Sequence, residues 1–426
     1  YSNMSNNYKL TNKQSGGDLL GSGAYGCVFR SNIPCEEGDY TDRDNRLVSK
    51  LINNEHKEDE FEKIAELKLA DIDTKQRYFV YPIAMCDVPN NIIERDIFKC
   101  EMLTESFKEE YNKDFSVSSP SHKRKFKKNI SRNFSNIIQP YSGKSFANIR
   151  FKNIGGGKMT RRKYECKDFS LVYLDLLKGL LLININNLSH RDIKYPNIVL
   201  DNSSGELNAR FIDLGLMASI NDEDLDKESS EWSSWIGAEY SYWPVDMDIY
   251  CSINNGHYSR LKLKIDEIKS KKKKILFILE KADEFCAIYE SSEWCLSKIH
   301  SGSIYKSCVR FMIDLFIHKK YTEDLTIDIE IQKKWDIFML GTFLSNELSN
   351  QYIEDDDGEL DEFFHEFANL ILMMTLIHPM ERIDIAKCIS KYMKILEKYR
   401  RELGITKSRL EKEQYKIDEI YKLKKI

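Results

Sequence analysis

The eight residues from His190 to Asn197, with the sequence HRDIKYPN, constrain this chain more than any other segment. They follow a long apolar stretch that predicts a helix and precede a short predicted strand. Within six residues the segment supplies a carboxylate at Asp192, a cation at Lys194 and an amide oxygen at Asn197. Phosphoryl transfer needs a carboxylate to accept the hydroxyl proton, an oxygen ligand for Mg²⁺ and a cation near the transferred group. The segment therefore predicts a catalytic loop.

A second acidic position follows 21 residues after Asp192, where Asp213-Leu214-Gly215 ends a predicted strand. A carboxylate there can bind Mg²⁺ between the β- and γ-phosphates of a nucleotide. A lone Asp at the end of a strand is usually a turn former, so this position gains weight only beside the catalytic loop.

A glycine-rich segment near the start of the chain reads Gly21-Ser22-Gly23-Ala24-Tyr25-Gly26-Cys27-Val28. Glycines let a hairpin backbone approach phosphates without a Cβ clash. The same spacing occurs in dinucleotide-binding folds, but the residues after it predict a strand and not a helix. By itself the pattern is equally compatible with a structural turn.

Lys50 lies 22 residues after Val28, at the end of the predicted strand Leu47-Val48-Ser49-Lys50. A lysine there can reach the α- and β-phosphates, and an acid on the following helix can fix its ammonium group. The candidates are Glu60, Glu62 and Glu66. We select Glu60 because Phe61, Ile64 and Leu67 then form one apolar stripe.

In this order the segments resemble the eukaryotic-type protein kinase family. Lys194, two residues after Asp192, resembles the Ser/Thr subgroup. The resemblance implies an ATP-dependent enzyme that transfers the γ-phosphate of Mg-ATP (or Mn-ATP) to Ser or Thr hydroxyls of proteins. It implies a bilobal α+β fold with a small β-rich N-lobe and a larger helical C-lobe. The abundance of Asn, Ile and Lys and the long insertions are similar to kinases of large cytoplasmic DNA viruses or protists.

The resemblance also implies a role for each matching residue. Asp192 would be the catalytic base, Lys194 would neutralise charge on the transferred group, and Asn197 and Asp213 would bind the metal. Lys50 would contact the nucleotide phosphates and pair with Glu60. The implied ATP-binding residues are Gly21, Ser22, Gly23, Ala24, Tyr25, Gly26, Val28, Val48, Lys50, Ile138, Gln139, Tyr141 and Val199.

Within that set, the segment 136–141 resembles the fifth strand and hinge of the family. Ile138 would be the gatekeeper, and the adenine would bond to the Gln139 carbonyl and the Tyr141 amide. Pro140 lies between these contacts, at a position that does not need an N–H group.

The resemblance continues toward the C-terminus. Residues 237–244 resemble the end of an activation segment, with Ser219, Ser229, Ser230, Ser233 and Ser234 as candidate phosphorylation sites facing Arg191. Asp336 would hold the catalytic loop, and Arg382 resembles the late structural arginine. The acid that this arginine usually pairs with is missing at Val245, and Asp246 is the candidate substitute.

The domain organisation predicted from the sequence has four parts. They are an N-terminal extension (1–13), an N-lobe (14–141, with a polar, partly disordered insertion at 87–135), a C-lobe (142–390, with an insertion at about 250–330) and a C-terminal helical extension (391–426). We expect the C-terminal helices to pack on the kinase body, because their apolar spacing is too irregular for a coiled coil.

Composition and charge limit which partners and which cellular location the sequence predicts. The net charge of -4 gives no global signal for a nucleic-acid partner. The chain begins at Tyr1, which suggests a processed product, and residues 1–13 predict no signal peptide. No stretch predicts a transmembrane span. The ten cysteines are expected to be mostly reduced thiols in an intracellular, cytoplasmic protein, in the host cytoplasm or virion if the source is viral.

Two alternative functions stay open. A pseudokinase scaffold would share the fold, although the usual losses of the Lys or the two Asp residues are not present. A small-molecule kinase with a related fold would keep the catalytic loop. The basic runs 122–128 and 269–274 are either solvated faces or contacts to nucleic acid or anionic lipid. The protein substrate and the oligomeric state are not predicted.

Overall fold

The chain has an α+β fold with an antiparallel sheet and many helices. The computed structural model describes residues 19–22, 26–30, 33, 35–36, 46–55, 57–89, 97–116, 118–146, 159–203, 205–220, 243–244, 246, 263–291, 295–318, 329–352 and 361–423. The predicted N-terminal extension (1–13) lies outside these residues. The chain divides into two compact units, one formed by Tyr1–Glu66 with Tyr81–Ser142 and the other by Leu67–Val80 with Gly143–Ile426.

The first unit is built on a five-stranded antiparallel sheet. Its strands are β1 (Leu19–Ser22), β2 (Gly26–Arg30), β3 (Leu47–Asn53), β4 (Ala84–Asp87) and β5 (Phe134–Pro140), in the order β1-β2-β3-β5-β4. Its helices are α1 (Lys57–Glu66), α3 (Glu101–Tyr111) and α4 (Pro120–Asn133). The longest pairing joins β3 to β5 over seven residue pairs and places these strands at the centre of the sheet.

The insertion at 87–135 is more ordered than its polar composition suggested. After a 3-10 turn at Ile97–Lys99, the helices α3 and α4 bury apolar residues at four-residue spacing, Leu103 with Phe107 and Phe126 with Ile130. The Ser119 hydroxyl caps α4 by accepting from the His122 N–H group. Charged residues between the apolar positions concealed this periodicity in the sequence.

The expectation of reduced thiols is wrong for four of the ten cysteines. Cys27 at the start of β2 is bonded to Cys100 at the N-terminus of α3, and Cys35 is bonded to Cys86 in β4. Cys27 and Cys100 lie in the buried apolar cluster of the first unit. The sequence lacks close cysteine spacing because both bonds join distant segments, which only the fold brings together. Cys388 is a free, buried thiol, and Cys308 is buried as well.

The second unit is predominantly helical. Its helices are α2 (Leu69–Ile72), α5 (Met159–Ile185), α6 (Lys271–Ser291), α7 (Cys295–Phe316), α8 (Ile329–Gln332), α9 (Trp335–Tyr352), α10 (Asp361–Met374), α11 (Ile385–Lys398) and α12 (Lys407–Leu423). Its short strands are β6 (Lys144–Ser145), β7 (Leu188–Ser189), β8 (Ile198–Asp201), β9 (Asn208–Phe211) and β10 (Ala218–Ser219), which form the sheets β6-β8-β9 and β7-β10. Helix α5, the apolar helix predicted from the sequence, is buried along much of its length.

The C-terminal helix α12 packs against α5, which confirms the expected docking of the tail on the body. Lys178 of α5 is fully buried and pairs with both Asp175 and Glu413. Arg409 of α12 also pairs with Glu413 and with Glu206, which precedes β9. These ion pairs therefore stabilise the packing of α12 against α5.

The segment Leu67–Val80 belongs to the second unit, although it lies between strands of the first. Asp73 accepts hydrogen bonds from three consecutive N–H groups, those of residues 77–79. Phe211 of β9 donates its N–H to Tyr78 and accepts from Val80, and its ring lies 5.5 Å from that of Phe79. The next strand of the first unit, β4, begins only at Ala84.

No helix of the described residues combines the length and apolar composition needed to cross a bilayer.

Candidate active site

The predicted catalytic loop places three functional side chains in direct contact. Asn197 donates through Nδ2 to the Asp192 carboxylate at 2.7 Å and to the Asp192 carbonyl at 2.9 Å. Lys194 Nζ lies 2.9 Å from the same carboxylate oxygen, Oδ2. These contacts hold the Asp192 carboxylate in place. Asp192 is 7% exposed, so a small part of the residue reaches the surface. The orientation of the Asp192 carboxylate is therefore fixed by its neighbours in the loop.

The backbone of the loop is anchored by an acid from a distant helix. Asp336 in the first turn of α9 accepts the N–H groups of His190 at 2.7 Å and of Arg191 at 2.8 Å. Arg191 adopts a left-handed conformation with φ 64°, which costs energy for a residue other than glycine. Two charge-assisted hydrogen bonds offset that cost and determine the loop shape. The predicted role of Asp336 in holding the loop is confirmed.

Short elements on both sides determine where the loop lies. Tyr195 begins a 3-10 turn with Pro196, and its ring lies 4.7 Å from Phe343 of α9 and 5.9 Å from Phe146. The β7-β10 pairing joins Ser189 to Ala218 on the other side. Aromatic packing and strand pairing therefore fix both ends of the loop.

The two predicted metal ligands lie on neighbouring segments. Ile212 donates its N–H to the Asn197 carbonyl at 2.9 Å, and Ile198 is paired with Phe211. Asn197 precedes β8 and Asp213 follows β9, so the register brings them to the same end of this sheet. Asp213 is exposed and left-handed, with φ 59°.

These residues fit the demands of Mg²⁺. With its Nδ2 donating to Asp192, Asn197 keeps its Oδ1 oxygen for a cation, and Asp213 supplies a second hard oxygen. The described residues include no cluster of three or more His, Cys, Asp or Glu side chains suited to a metal. A Mg²⁺ ion needs none here, because it usually takes one or two protein carboxylates with water and substrate phosphates.

Val199, predicted to contact the adenine, lies in β8 at the middle of the β6-β8-β9 sheet. It is paired with Ser145 on one side and Arg210 on the other, and it is 7% exposed. Leu214 follows the predicted metal ligand Asp213, at a position where the family that the sequence resembles usually has Phe, and it is buried.

In the first unit, the glycine-rich residues form the β1-β2 hairpin. Gly21 pairs with Val28 and Ser22 with Cys27, whereas Gly23, Ala24 and Tyr25 lie outside the described residues. A Cβ atom at Gly26 would come within 2.5 Å of the Leu51 carbonyl oxygen, so the position requires glycine. The same Cβ would lie 3.4 Å from Cε of Lys50. The lysine stem therefore runs beside the hairpin.

The strand register places several predicted ATP contacts on one face of the sheet. Lys50 is paired with Val28, and Val48 with Gln139. Paired residues of antiparallel strands share a face, and so do residues two apart in one strand. Val28, Val48, Lys50 and Gln139 therefore share a face. The structure does not describe the side chain of Glu60, so the Lys50–Glu60 pair stays a prediction.

The strand register and one backbone hydrogen bond bear on two of the hinge assignments. Ile138 is paired with Ser49, lies on the opposite face from Lys50 and is completely buried. The Tyr141 N–H donates to the Arg46 carbonyl at 2.6 Å and is occupied. Gln139, by contrast, shares the Lys50 face. The gatekeeper role of Ile138 and the adenine contacts at Gln139 and Tyr141 stay predictions, and a shift of one residue in the likeness to the family hinge would move every side chain to the other face.

The segment after the predicted activation loop is described at three residues. Trp243 donates its indole N–H to the Arg191 carbonyl at 3.2 Å, which ties this segment to the catalytic loop. Asp246 is buried and pairs with Arg382, so the predicted substitute acid is confirmed. Of the candidate phosphorylation sites, Ser219 accepts from the Arg191 guanidinium through its carbonyl oxygen. Residues 229–242 lie outside the described residues.

The sequence matches none of the protein-family models with which it was compared. The assignment of this site therefore depends on its residues and their geometry.

Proposed function

We propose that this chain is a protein kinase that transfers the γ-phosphoryl group of ATP to Ser or Thr hydroxyls of protein substrates. The observation that carries the proposal is the Asp192 carboxylate, which Asn197 and Lys194 hold within a loop anchored by Asp336. A strand-rich first unit and a helix-rich second unit support a protein-kinase-like fold of two lobes.

In the proposed reaction, Asp192 accepts a hydrogen bond from the substrate hydroxyl and aligns its oxygen with the γ-phosphorus. The new oxygen–phosphorus bond forms as the bond to the β-phosphate oxygen breaks, ADP leaves and the hydroxyl proton passes to Asp192. Lys194, already 2.9 Å from this carboxylate, stabilises charge on the transferred group. Catalysis comes mainly from positioning and electrostatics.

Asn197 and Asp213 are the proposed ligands of Mg²⁺ or Mn²⁺. The bound cation would neutralise charge on the phosphate oxygens. Asn197 has a second task, because its Nδ2 group fixes the Asp192 carboxylate at the same time. Substitution of Asn197 should therefore affect both cation affinity and the orientation of the base.

The first unit supplies the proposed nucleotide contacts. The Lys50 side chain runs beside Gly26. The absence of a Cβ atom at Gly26 leaves room for the lysine next to the hairpin. Val28 and Val48 add an apolar face suited to adenine, on the same side of the sheet as Lys50. Because ATP is an intracellular substrate, we place the enzyme in the cytoplasm, although disulfides are more typical of oxidising compartments.

The test is Mg²⁺-dependent transfer of ³²P from labelled ATP to a panel of basic proteins and casein, with phosphoamino-acid analysis. Wild type should yield phosphoserine or phosphothreonine, and Asp192→Asn and Lys50→Met should reduce the rate by at least about a hundredfold. Asp418→Asn, an exposed acid on α12, is the matched control and should retain activity. Transfer that survives Asp192→Asn would contradict the proposal, and phosphotyrosine alone would contradict the Ser/Thr assignment.

A wild type that binds Mg-ATP but transfers no phosphate to any protein would favour a scaffold. Phosphate transfer to a small hydroxylated metabolite and not to protein would favour a small-molecule kinase.

A further inference from the structure

A basic and apolar surface of the second unit has no part in the proposed catalysis. We define the lysine–leucine surface by seven exposed residues, which are Leu263, Lys264, Lys269, Lys271, Lys272, Lys273 and Leu276. The first two lie in a helical stretch, 263–267, and the last four lie at the beginning of α6. From residue 263 to 276 there are six lysines against two acids, a net charge of +4 in a chain whose total is -4.

The two leucines are unusually exposed for apolar side chains. Leu263 is 63% and Leu276 is 57% exposed, the highest values of any described leucine. Their neighbours Ile265 and Ile278 are completely buried in a cluster with Phe311 of α7. These anchors fix the segment on the body of the unit. Leu276 lies two residues from Ile278, about 200° around the helix, and therefore points away from the core.

The lysines have few opposing charges nearby. Lys264, Lys269, Lys271, Lys272 and Lys273 form no ion pair with any described residue, and of the nearby acids Asp266 lies 3.9 Å from Lys274. Three of these lysines occupy the first turn of α6, where the helix dipole adds to their mutual repulsion. Anionic groups at this surface would relieve that repulsion.

Exposed leucines beside clustered lysines are what a protein needs at the boundary of an anionic membrane. Leucines insert among the acyl chains, and lysines contact the anionic headgroups. On α6, Lys272 and Lys273 are neighbours of Leu276 at spacings of four and three residues. We propose that the lysine–leucine surface docks the protein peripherally on a bilayer that contains anionic phospholipid. A nucleic-acid backbone would use the lysines but would leave the leucines in water.

The test is co-sedimentation of the full chain with vesicles of phosphatidylcholine that contain about 30 mol% phosphatidylserine, compared with phosphatidylcholine alone. Binding should require phosphatidylserine and should weaken with added salt. Since each lysine near such a surface contributes about fivefold, Lys271→Gln, Lys272→Gln and Lys273→Gln together should lower the partition coefficient by about a hundredfold. Leu263→Ser with Leu276→Ser should lower it by about tenfold, with little effect on its salt dependence.

Two matched controls test whether vesicle binding depends on these particular residues and not on total positive charge or on exposed apolar side chains in general. Lys391→Gln, Lys394→Gln and Lys412→Gln remove three exposed lysines from α11 and α12, and Met380→Ser removes another exposed apolar side chain. Both controls should bind vesicles within about twofold of wild type. Circular dichroism would verify that every variant is folded.

The proposal is overturned if the full chain shows no phosphatidylserine-dependent binding, or if the control lysines matter as much as those of α6. It is also overturned if the leucine pair is neutral while the α6 lysines control binding to duplex DNA, which would indicate a nucleic-acid surface. None of these readouts depends on kinase activity.

Discussion

Asp246 Oδ1 lies 2.7 Å from Arg382 Nη2, and both side chains are buried. The indole N–H of Trp335 donates to the other carboxylate oxygen at 2.9 Å, and Trp335 directly precedes the loop anchor Asp336. Arg382 also donates to the carbonyls of Leu376 and Ile377. The pair therefore connects the segment after the predicted activation loop with the helix that holds the proposed catalytic loop.

Removing one partner of this pair should destabilise the protein strongly. Arg382→Met leaves the Asp246 carboxylate buried without its cation, and the loss should be about 3–5 kcal/mol in the free energy of unfolding. Arg400→Met, at a partly exposed pair with Glu397, should cost less than about 1 kcal/mol. Urea unfolding of both variants measures the difference. Equal losses would mean that the buried pair contributes no more to stability than the pair of Arg400 with Glu397.

The sequence was most informative where chemistry restricts residue identity. Asp192, Lys194 and Asn197 were predicted as one cluster, and the structure brings them into contact. The roles of Asp336, which holds the loop, and of Asp246, which pairs with Arg382, were also predicted correctly. Each acid has a fixed place in the order of the motifs, so few other residues could be its partner. The α+β class was expected from the resemblance to the protein kinase family, and the structure has this class.

The sequence failed where the outcome depends on register or on distant pairing. Ile138 and Gln139 differ by one position, and only the pairing with Ser49 and Val48 shows which one shares the Lys50 face. The Cys27–Cys100 bond joins residues 73 apart, and no local pattern indicates it. The Lys178–Glu413 pair, 235 residues apart, was concealed in the same way.

The loop anchor Asp336 should be needed for the chemical step. Asp336→Asn keeps the shape of the side chain but replaces one acceptor oxygen and removes the charge that holds the His190 and Arg191 N–H groups. We expect kcat to fall by about ten- to a hundredfold, because a small displacement of Asp192 is enough for such a loss. Steady-state phosphorylation assays at saturating ATP measure the effect. Unchanged kcat in a folded variant would refute the anchoring role.

Stability at acidic pH should depend on Glu413. Burial disfavours ionisation of this carboxyl, but the charge of Lys178 and hydrogen bonds from Lys178 and Lys416 outweigh it and lower its pKa from 4.5 to about 2. The folded pKa is below the unfolded one, so the stabilisation is present above about pH 4.5 and is lost as the pH falls toward 2. At neutral pH it corresponds to about 3 kcal/mol.

Glu413→Gln should remove this contribution. In urea unfolding between pH 6 and about 3.5, the difference in stability between wild type and Glu413→Gln should shrink as the pH falls. Glu411→Gln, at an exposed neighbouring position, is the control and should lower stability only slightly. A constant difference for Glu413→Gln would contradict the ionised pair with Lys178.

The two disulfides should stabilise the first unit. Reduction of Cys27–Cys100 and Cys35–Cys86 by dithiothreitol releases long loops in the unfolded chain, and each bond typically contributes about 2–4 kcal/mol. Thermal unfolding of wild type should therefore shift to lower temperature with the reductant. A variant with all four of these cysteines changed to Ala should unfold at a lower temperature that the reductant does not alter. If wild type is also insensitive, the bonds are not formed in solution.

The last prediction separates the two faces of β5. Gln139→Phe places a bulky ring on the face shared with Lys50 and Val48, and should raise the KM for ATP by about tenfold through steric conflict. Ile138→Val removes one buried methyl group from the opposite face, and should lower stability by about 0.5–1.5 kcal/mol. Its KM for ATP should stay near the wild-type value, because its side chain points away from the proposed nucleotide contacts. ATP titrations and urea unfolding of both variants measure the two effects. The opposite pattern, with Ile138→Val controlling the KM, would restore Ile138 as the gatekeeper and contradict the observed register.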